Sequence, residues 1–195
     1  VVLATPRFVA ARVVSALREN RPAYLDSFTS SPWVVANLEL SKRPKSRGFP
    51  LSWDNVLYDS KSLGYVLATH QRDRAEETGP TVLTWYLAPG PSADARAALL
   101  REPWAHWRDR VLAELAVPHP DLAGKATRID ITRYGHAMAV PVPGMRRAMP
   151  HAVVASASGR LRFAHGDWSG YSVFEEAFTR GHHAASGSGM ARSGA

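Results

Sequence analysis

Between Leu161 and Ala185 the chain reads as an apolar strand, an acidic turn holding two glycines, and a capped helix. Three chemistries meet there. Asp167, at the carboxyl end of the strand, can accept hydrogen bonds from the hydroxyls of a sugar or polyol. Gly166 and Gly170 lack a Cβ, so backbone can come close to a ligand. The helix that follows begins with free N–H donors and partial positive charge, and such an end receives an anion or an electron-rich carbonyl edge. Ser172-Val173-Phe174-Glu175 has the spacing of a capping box, with Phe174, Ala177 and Phe178 on an apolar face behind it.

Other reactive side chains have plainer readings beside the chemical ones. His136, after Gly135, and His165 each suit a pocket wall or a structural hydrogen bond. Glu175 and Glu176 suit helix capping and a solvated face better than a general base. His182 and His183 are adjacent on a helix and point apart, so no metal site is expected. Cysteine is absent, which removes disulfides, thiolate metal sites and thiol nucleophiles together. No Gly-x-Ser-x-Gly elbow is present to support a hydrolytic triad.

The elements that must position these residues follow from pattern. Val1–Ala4 reads as a strand, Thr5 as a cap and Pro6 as a first helical residue, with a helix from Phe8 to Asn20. Trp33–Leu40 reads as a strand and Lys42–Pro50 as a loop. Trp53–Tyr58 and Leu63–Thr69, joined by Asp59-Ser60-Lys61-Ser62, read as a hairpin. After a loop over Arg72–Pro80 comes the strand Thr81–Leu87. Ser92 caps a helix to Leu100. Trp104, Trp107, Val111, Leu112 and Leu115 then mark one face of a second helix, which places both tryptophans in the core. Pro118-His119-Pro120 ends it. Arg128–Thr132 alternates as a half-buried strand. Pro141, Pro143 and Gly144 open an irregular segment, and Gly159-Arg160 turns into the strand Leu161–His165. The tail from Ser186 is too poor in apolar side chains to fold.

The 195 residues, 45% apolar and 21% charged, suit one domain or a domain and a half with a core that needs no staples. The net charge of +7 comes from 24 cations, 20 of them arginine. They are scattered. Arg146-Arg147 and Lys42-Arg43…Lys45…Arg47 are the clusters, and neither resembles a nucleic-acid module, so nucleic acid is not an expected partner. A solvated basic surface is the plain reading of the charge. No apolar run approaches the roughly 20 residues of a membrane span. A cytoplasmic location is expected. The chain starts mid-strand at Val1 without methionine and reads as an excised or truncated piece of a longer protein.

Phe163-Ala164-His165-Gly166-Asp167, followed by a helix ending Gly181-His182-His183-Ala184-Ala185, resembles the C-terminal flavin signature of the FAD-dependent amine oxidase and phytoene desaturase superfamily. Trp168-Ser169-Gly170-Tyr171 is similar to the corresponding run of monoamine oxidases. Val1-Val2-Leu3-Ala4-Thr5-Pro6 resembles the strand that re-enters the FAD domain. Tyr134-Gly135-His136-Ala137-Met138-Ala139-Val140-Pro141-Val142-Pro143-Gly144 resembles the segment on the substrate side of the flavin. Trp53-Asp54-Asn55-Val56 with Leu63-Gly64-Tyr65-Val66 looks like a bacterial subgroup. The superfamily's Gly-x-Gly-x-x-Gly is not in these residues, and no lysine corresponds clearly to the one that positions water near flavin N5 in many relatives.

The resemblance implies an α+β fold: a mostly antiparallel substrate-binding sheet with packed helices, plus the C-terminal strand and helix of a Rossmann-like FAD-binding domain whose N-terminal half is absent. It implies re-entry strand and helix over 1–20, a substrate region over 21–145, the flavin-facing strand and helix over 146–185, and a tail over 186–195. Asp167, with Gly166, would contact the ribityl chain of FAD, and amides near Gly170, Tyr171 and Ser172 would face the flavin N1/O2 edge. Tyr134, His136, Trp53, Tyr65 and Trp85 are the candidates for the substrate pocket. The implied activity is an oxidoreductase that moves a hydride equivalent from an amine or another oxidisable small molecule to flavin N5. Two other readings stay open: a non-catalytic fragment or binding module that holds no FAD without its dinucleotide-binding half, and a basic surface for anionic partners.

Overall fold

A computed structural model describes the chain except residues 28, 47, 49, 69–78, 146, 148, 150–159 and 187–195. The expected end of the hairpin at Thr69, most of the loop over Arg72–Pro80 and nearly all of the tail lie outside the described residues. The fold is α+β and divides into two compact units, one from Val1–Ser30 with Met138–Ala195, the other Ser31–Ala137.

The first unit is built on two parallel strands, β1 (Val2–Leu3) and β7 (Arg162–Phe163), in register Val2 with Arg162 and Leu3 with Phe163. Helix α1 (Arg7–Val13) follows β1, then α2 (Ser15–Glu19). The single helix expected from Phe8 to Asn20 is broken because Val14 is extended, with φ −89° and ψ 111°. Pro6 stands at the N-cap rather than the first helical position, and Thr5 makes no cap: its Oγ1 is buried without a hydrogen-bond partner. A 3₁₀ turn (Ala23–Asp26) comes next, and another (Gly166–Trp168) follows β7. The last helix, α5, spans Phe174–Ser186. Ala10, Ala11, Leu25, Phe163 and Trp168 form this unit's core.

The second unit is a five-stranded antiparallel sheet in the order β3-β4-β5-β2-β6. Its strands are β2 (Thr29–Leu40), β3 (Asp54–Asn55), β4 (Gly64–Leu67), β5 (Thr81–Leu87) and β6 (Ala126–Val140). The central ladder pairs Ala36 with Trp85 and Leu38 with Leu83. The alternation of β2 and β5 puts Val34, Ala36, Leu38, Leu83, Trp85 and Leu87 on one face. Those residues pack with Leu99 of α3 (Ala93–Arg101) and with Trp107, Val111 and Leu115 of α4 (Trp104–Leu115). Ser92 caps α3 as expected, its Oγ accepting from the Ala95 amide at 3.0 Å.

Two expectations change here. Trp104 is half exposed, although its spacing matches the buried stripe. Helical side chains lean toward the N-terminus, so the first residue of α4 leans past the helix end, where Arg108 covers its ring at 5.1 Å. The hairpin is also shorter than its pattern. The pairing with β4 covers Asp54 and Asn55, with the Leu67 amide donating to the Trp53 carbonyl at 2.8 Å, and Trp53 stands 61% exposed. The segment from Val56 to Leu63 is drawn to α4 instead: the Ser60 and Ser62 hydroxyls both donate to Glu114 Oε1. Gly64 makes the close return. Its φ is +99°, and a Cβ there would lie 2.0 Å from the Asn55 carbonyl oxygen. Gly64→Ala should therefore cost more than about 2 kcal/mol, read as a fall in the urea midpoint.

His119 and Tyr65 are each 2% exposed, and Tyr65 Oη lies 2.6 Å from His119 Nε2. His119 Nδ1 is 2.9 Å from the Lys45 carbonyl, which can only accept, so Nδ1 carries the proton and Nε2 accepts from the phenol. Burial pushes Tyr65 up to about 12. Burial also lowers His119 below its ordinary 6.5, outweighing the Lys45 bond that favours the charged ring. The unfolded chain thus takes the proton first as pH falls. Stability should hold above pH 6.5 and decline as pH drops through the folded-state value. Denaturant unfolding across that window checks this, and His119→Phe should flatten the decline.

Candidate functional site

In the first unit, strands β1 and β7 run parallel, so their following turns emerge at one end. The crevice beyond the carboxyl ends of parallel strands is where α/β sheets seat ligands. Asp167 reaches across this end, and its Oδ2 accepts the Arg7 amide, the first of α1, at 3.2 Å. Asp167 therefore caps a helix distant in sequence. Its side chain stays 15% exposed. Burial raises its pKa, but hydrogen bonding from His165 and from Arg7, with the Arg7 charge, brings it below the ordinary carboxylate value. His165 Nδ1 lies 3.1 Å from the Asp167 amide and 3.4 Å from Oδ1. A nitrogen accepting the amide has no proton for the carboxylate, so the neutral ring takes the shorter bond and only the protonated ring forms the ion pair.

Arg7 was not legible as a site residue. It is 2% exposed, with Nη1 on the Tyr24 carbonyl at 2.7 Å and Nη2 on Ser27 Oγ at 3.1 Å. Its guanidinium lies 5.9 Å from the Trp168 ring centroid, and burial lowers it to about 10, so it stays charged at neutral pH. The signal for it was faint: an arginine inside the otherwise apolar first turn of a helix.

The glycines are occupied by this chain's own atoms. A Cβ on Gly166 would meet the Tyr171 carbonyl at 2.8 Å. At Gly170, with φ +76°, a Cβ would meet Met145 Sδ and Cε at 3.1 and 3.2 Å and Met149 Sδ at 3.2 Å. The Gly170 amide is also taken, by the Gly166 and Asp167 carbonyls. The Tyr171 and Ser172 amides have no hydrogen-bond acceptor among the described residues. The capping box does not form as spaced. α5 starts at Phe174, and Ser172 Oγ accepts instead from the Ala139 amide at 2.6 Å. Trp168 is fully buried, with its indole N–H unpartnered.

In the second unit the helices cover one face of the sheet and leave the other half exposed. That open face carries Trp33 stacked on Tyr86, with centroids 6.3 Å apart and planes at 19°. Thr84 Oγ1 donates to Asn37 Oδ1 at 2.7 Å, and the Tyr86 hydroxyl donates to Asp54 Oδ1 at 3.0 Å. Burial and the Asp54 bond and charge raise Tyr86 above its ordinary pKa. Ile129 and Ile131 of β6 pack on the core, so by alternation Tyr134 and His136 turn to the face away from the helices. Both are exposed. Tyr65 and Trp85 face the helices instead: Trp85 is fully buried and its Nε1 donates to Glu114 Oε1 at 3.0 Å. The five expected pocket residues are therefore split. Tyr134 and His136 share the open face, Tyr65 and Trp85 lie beneath it, and Trp53 stands before β3. The aromatic pair Trp33 and Tyr86 was missed, although strand parity with Val34 and Trp85 would have placed both on the open face.

No protein-family model matches this sequence, and no curated protein matches it. Among solved structures, the chain is similar to an Exiguobacterium sp. 255-15 protein assigned as a protoporphyrinogen oxidase, with a TM-score of 0.63 and 13% identity over 95% of this chain and 39% of that one. It is also similar to cyclohexylamine oxidase from Brevibacterium oxydans IH-35A, with a TM-score of 0.61 and 14% identity over 95% of this chain and 42% of the oxidase. At these identities the likeness is one of fold. The chain spans about two fifths of either protein.

Replacing Asp167 by Ala should remove the acceptor of the α1 amide and the nearest anion to buried Arg7, at about 2 kcal/mol. Asp167→Asn should recover part of this. Because the carboxylate's pKa is lowered on folding, its contribution should persist above pH 3.8 and fade as pH drops through the folded value. Urea unfolding of wild type and both variants against pH reads both effects.

Proposed function

We propose that this chain is the substrate-sheet and C-terminal flavin-facing portion of an FAD-dependent oxidoreductase of the amine oxidase type. The observation that carries the reading is Asp167 at the shared carboxyl end of β1 and β7, partly exposed and held as an anion, with the unpaired Tyr171 and Ser172 amides close after it in sequence. These groups fit FAD in donor and acceptor type: a carboxylate for ribityl hydroxyls and amides for an electron-rich ring edge. The fit does not extend to Gly170, whose amide and open side are already used.

When bound, the flavin supplies the hydride-accepting centre for a C–H bond next to an amine or similar group. The protein's residues do the rest. Asp167 orients the polyol chain. The Tyr171 and Ser172 amides are the donors that would favour negative charge on an electron-rich ring edge. The open face with Trp33, Tyr86, Tyr134 and His136 would line the substrate side and orient the substrate there. The unit of Val1–Ser30 with Met138–Ala195 would serve the flavin and Ser31–Ala137 the substrate, so the expected boundaries at 20 and 145 move to 30 and 137. The dinucleotide-binding half, with its Gly-x-Gly-x-x-Gly turn, would be contributed by the same gene upstream of Val1.

The test uses the full protein encoded by that gene. Reconstituted with FAD and desalted, it should keep a flavin spectrum, and Asp167→Asn should weaken retention about tenfold with little change in fold. A folded protein that stays colourless after reconstitution rejects the reading and leaves a binding module that holds no flavin.

A further inference from the structure

A cleft of about 630 Å³ lies between the Val56–Lys61 segment and the carboxyl-terminal half of α4. That size is in the range of small-molecule pockets. Val56, Leu57, Tyr58, Val117 and Pro118 give it apolar walls. Ser60 and four charged side chains complete the lining, the charged ones being Asp59 and Lys61 from the loop and Arg110 and Glu114 from the helix. Each element thus brings one anion and one cation.

None of the four forms an ion pair among the described residues. For Arg110 and Glu114 this has a cause. They stand four apart on one helix, the spacing at which Arg and Glu ordinarily meet. Glu114 is turned away because its Oε1 accepts from the Ser60 hydroxyl at 2.7 Å, the Ser62 hydroxyl and the buried Trp85 indole N–H at 3.0 Å. The two hydroxyls also lie 3.0 Å from each other, so the serines and the carboxylate form one hydrogen-bonded cluster. It fixes the carboxylate and leaves Oε2 with no donor from the described residues. Arg110, deprived of its helical partner, rests over the Trp107 ring at 5.8 Å with its N–H donors unpaired.

We propose that this cleft is a binding site for a zwitterion with apolar side chains, of the size of a dipeptide or tripeptide. A simple anion would face Glu114 and Asp59, and a simple cation would face Arg110 and Lys61. Only a ligand carrying both charges pairs with all four. Its ammonium meets Glu114 Oε2 and Asp59, its carboxylate meets Arg110 and Lys61, and its side chains cover Val56, Leu57 and Val117. A single amino acid would leave most of the volume to water. The site lies on the helix-covered side of the sheet, away from the face assigned to substrate, and does not depend on the flavin reading.

The probe is leucyl-leucine, titrated into the isotopically labelled protein and followed by amide shifts. Shifts should concentrate in residues 56–61 and 110–117, with a Kd below about 1 mM. N-acetyl-leucyl-leucine and leucyl-leucinamide, each lacking one charge, should bind about tenfold more weakly. Glu114→Gln is the decisive variant. Its amide oxygen can still serve Ser60, Ser62 and Trp85, while the free oxygen becomes an N–H₂ donor that repels ammonium. It should weaken the dipeptide about tenfold and leave the melting temperature unchanged. Arg110→Gln should do the same from the other end. Shifts elsewhere, no saturation, or equal affinity for the dipeptide and both blocked forms would each overturn the proposal. So would Glu114→Gln binding as tightly as wild type.

Discussion

A sheet with helices on only one side has to leave its other side half covered, and that asymmetry governs the central unit. The backbone of β2 and β5 alternates, so every apolar residue committed to α3 and α4 leaves a neighbour facing away. Trp33, Asn37, Thr84 and Tyr86 are those neighbours, and they satisfy one another through a stacked pair and short side-chain hydrogen bonds. The face is thereby organised without being buried. That is the condition for a surface that receives something else.

Three polar side chains at the buried face follow the opposite rule, while the Trp107 indole N–H and the Thr81 hydroxyl there stay without a partner among the described residues. Trp85, Tyr65 and His119 carry donors and acceptors into an apolar layer, where each unpaired group costs about 1–3 kcal/mol. Each is paired: Trp85 to Glu114, Tyr65 to His119, His119 to the Lys45 carbonyl. These bonds also tie the long loops to the helical layer. The loop after β3 is held by Glu114 and the loop after β2 by His119, so the same interactions that satisfy the core shape the cleft beside it.

The turn after β7 is governed by competition for the same atoms. One carboxylate both caps α1 and offers itself at the strand ends. One glycine both folds the turn and carries the methionines. The chain's own carbonyls already occupy the Gly170 amide, whereas the Tyr171 and Ser172 amides have no acceptor among the described residues.

The sequence by itself determined the elements whose signal is local. β5 matches its expected span residue for residue, Ser92 caps α3, and the stripe at Trp107, Val111 and Leu115 is buried. Periodicity and capping act over a few residues, so they can be read without knowing what packs against them. The acidic turn after β7 was legible for the same reason. What only the tertiary structure decided is which face each residue meets and which partner takes each polar atom. Trp85 and Tyr65 looked like pocket residues until strand parity set them under α4. Ser172 looked like a cap until the Ala139 amide took its oxygen. Arg7, Glu114 and His119 carried no motif at all, since their roles rest on contacts 17 to 160 residues away in the chain. No local pattern encodes a partner at that distance; folding brings it into reach.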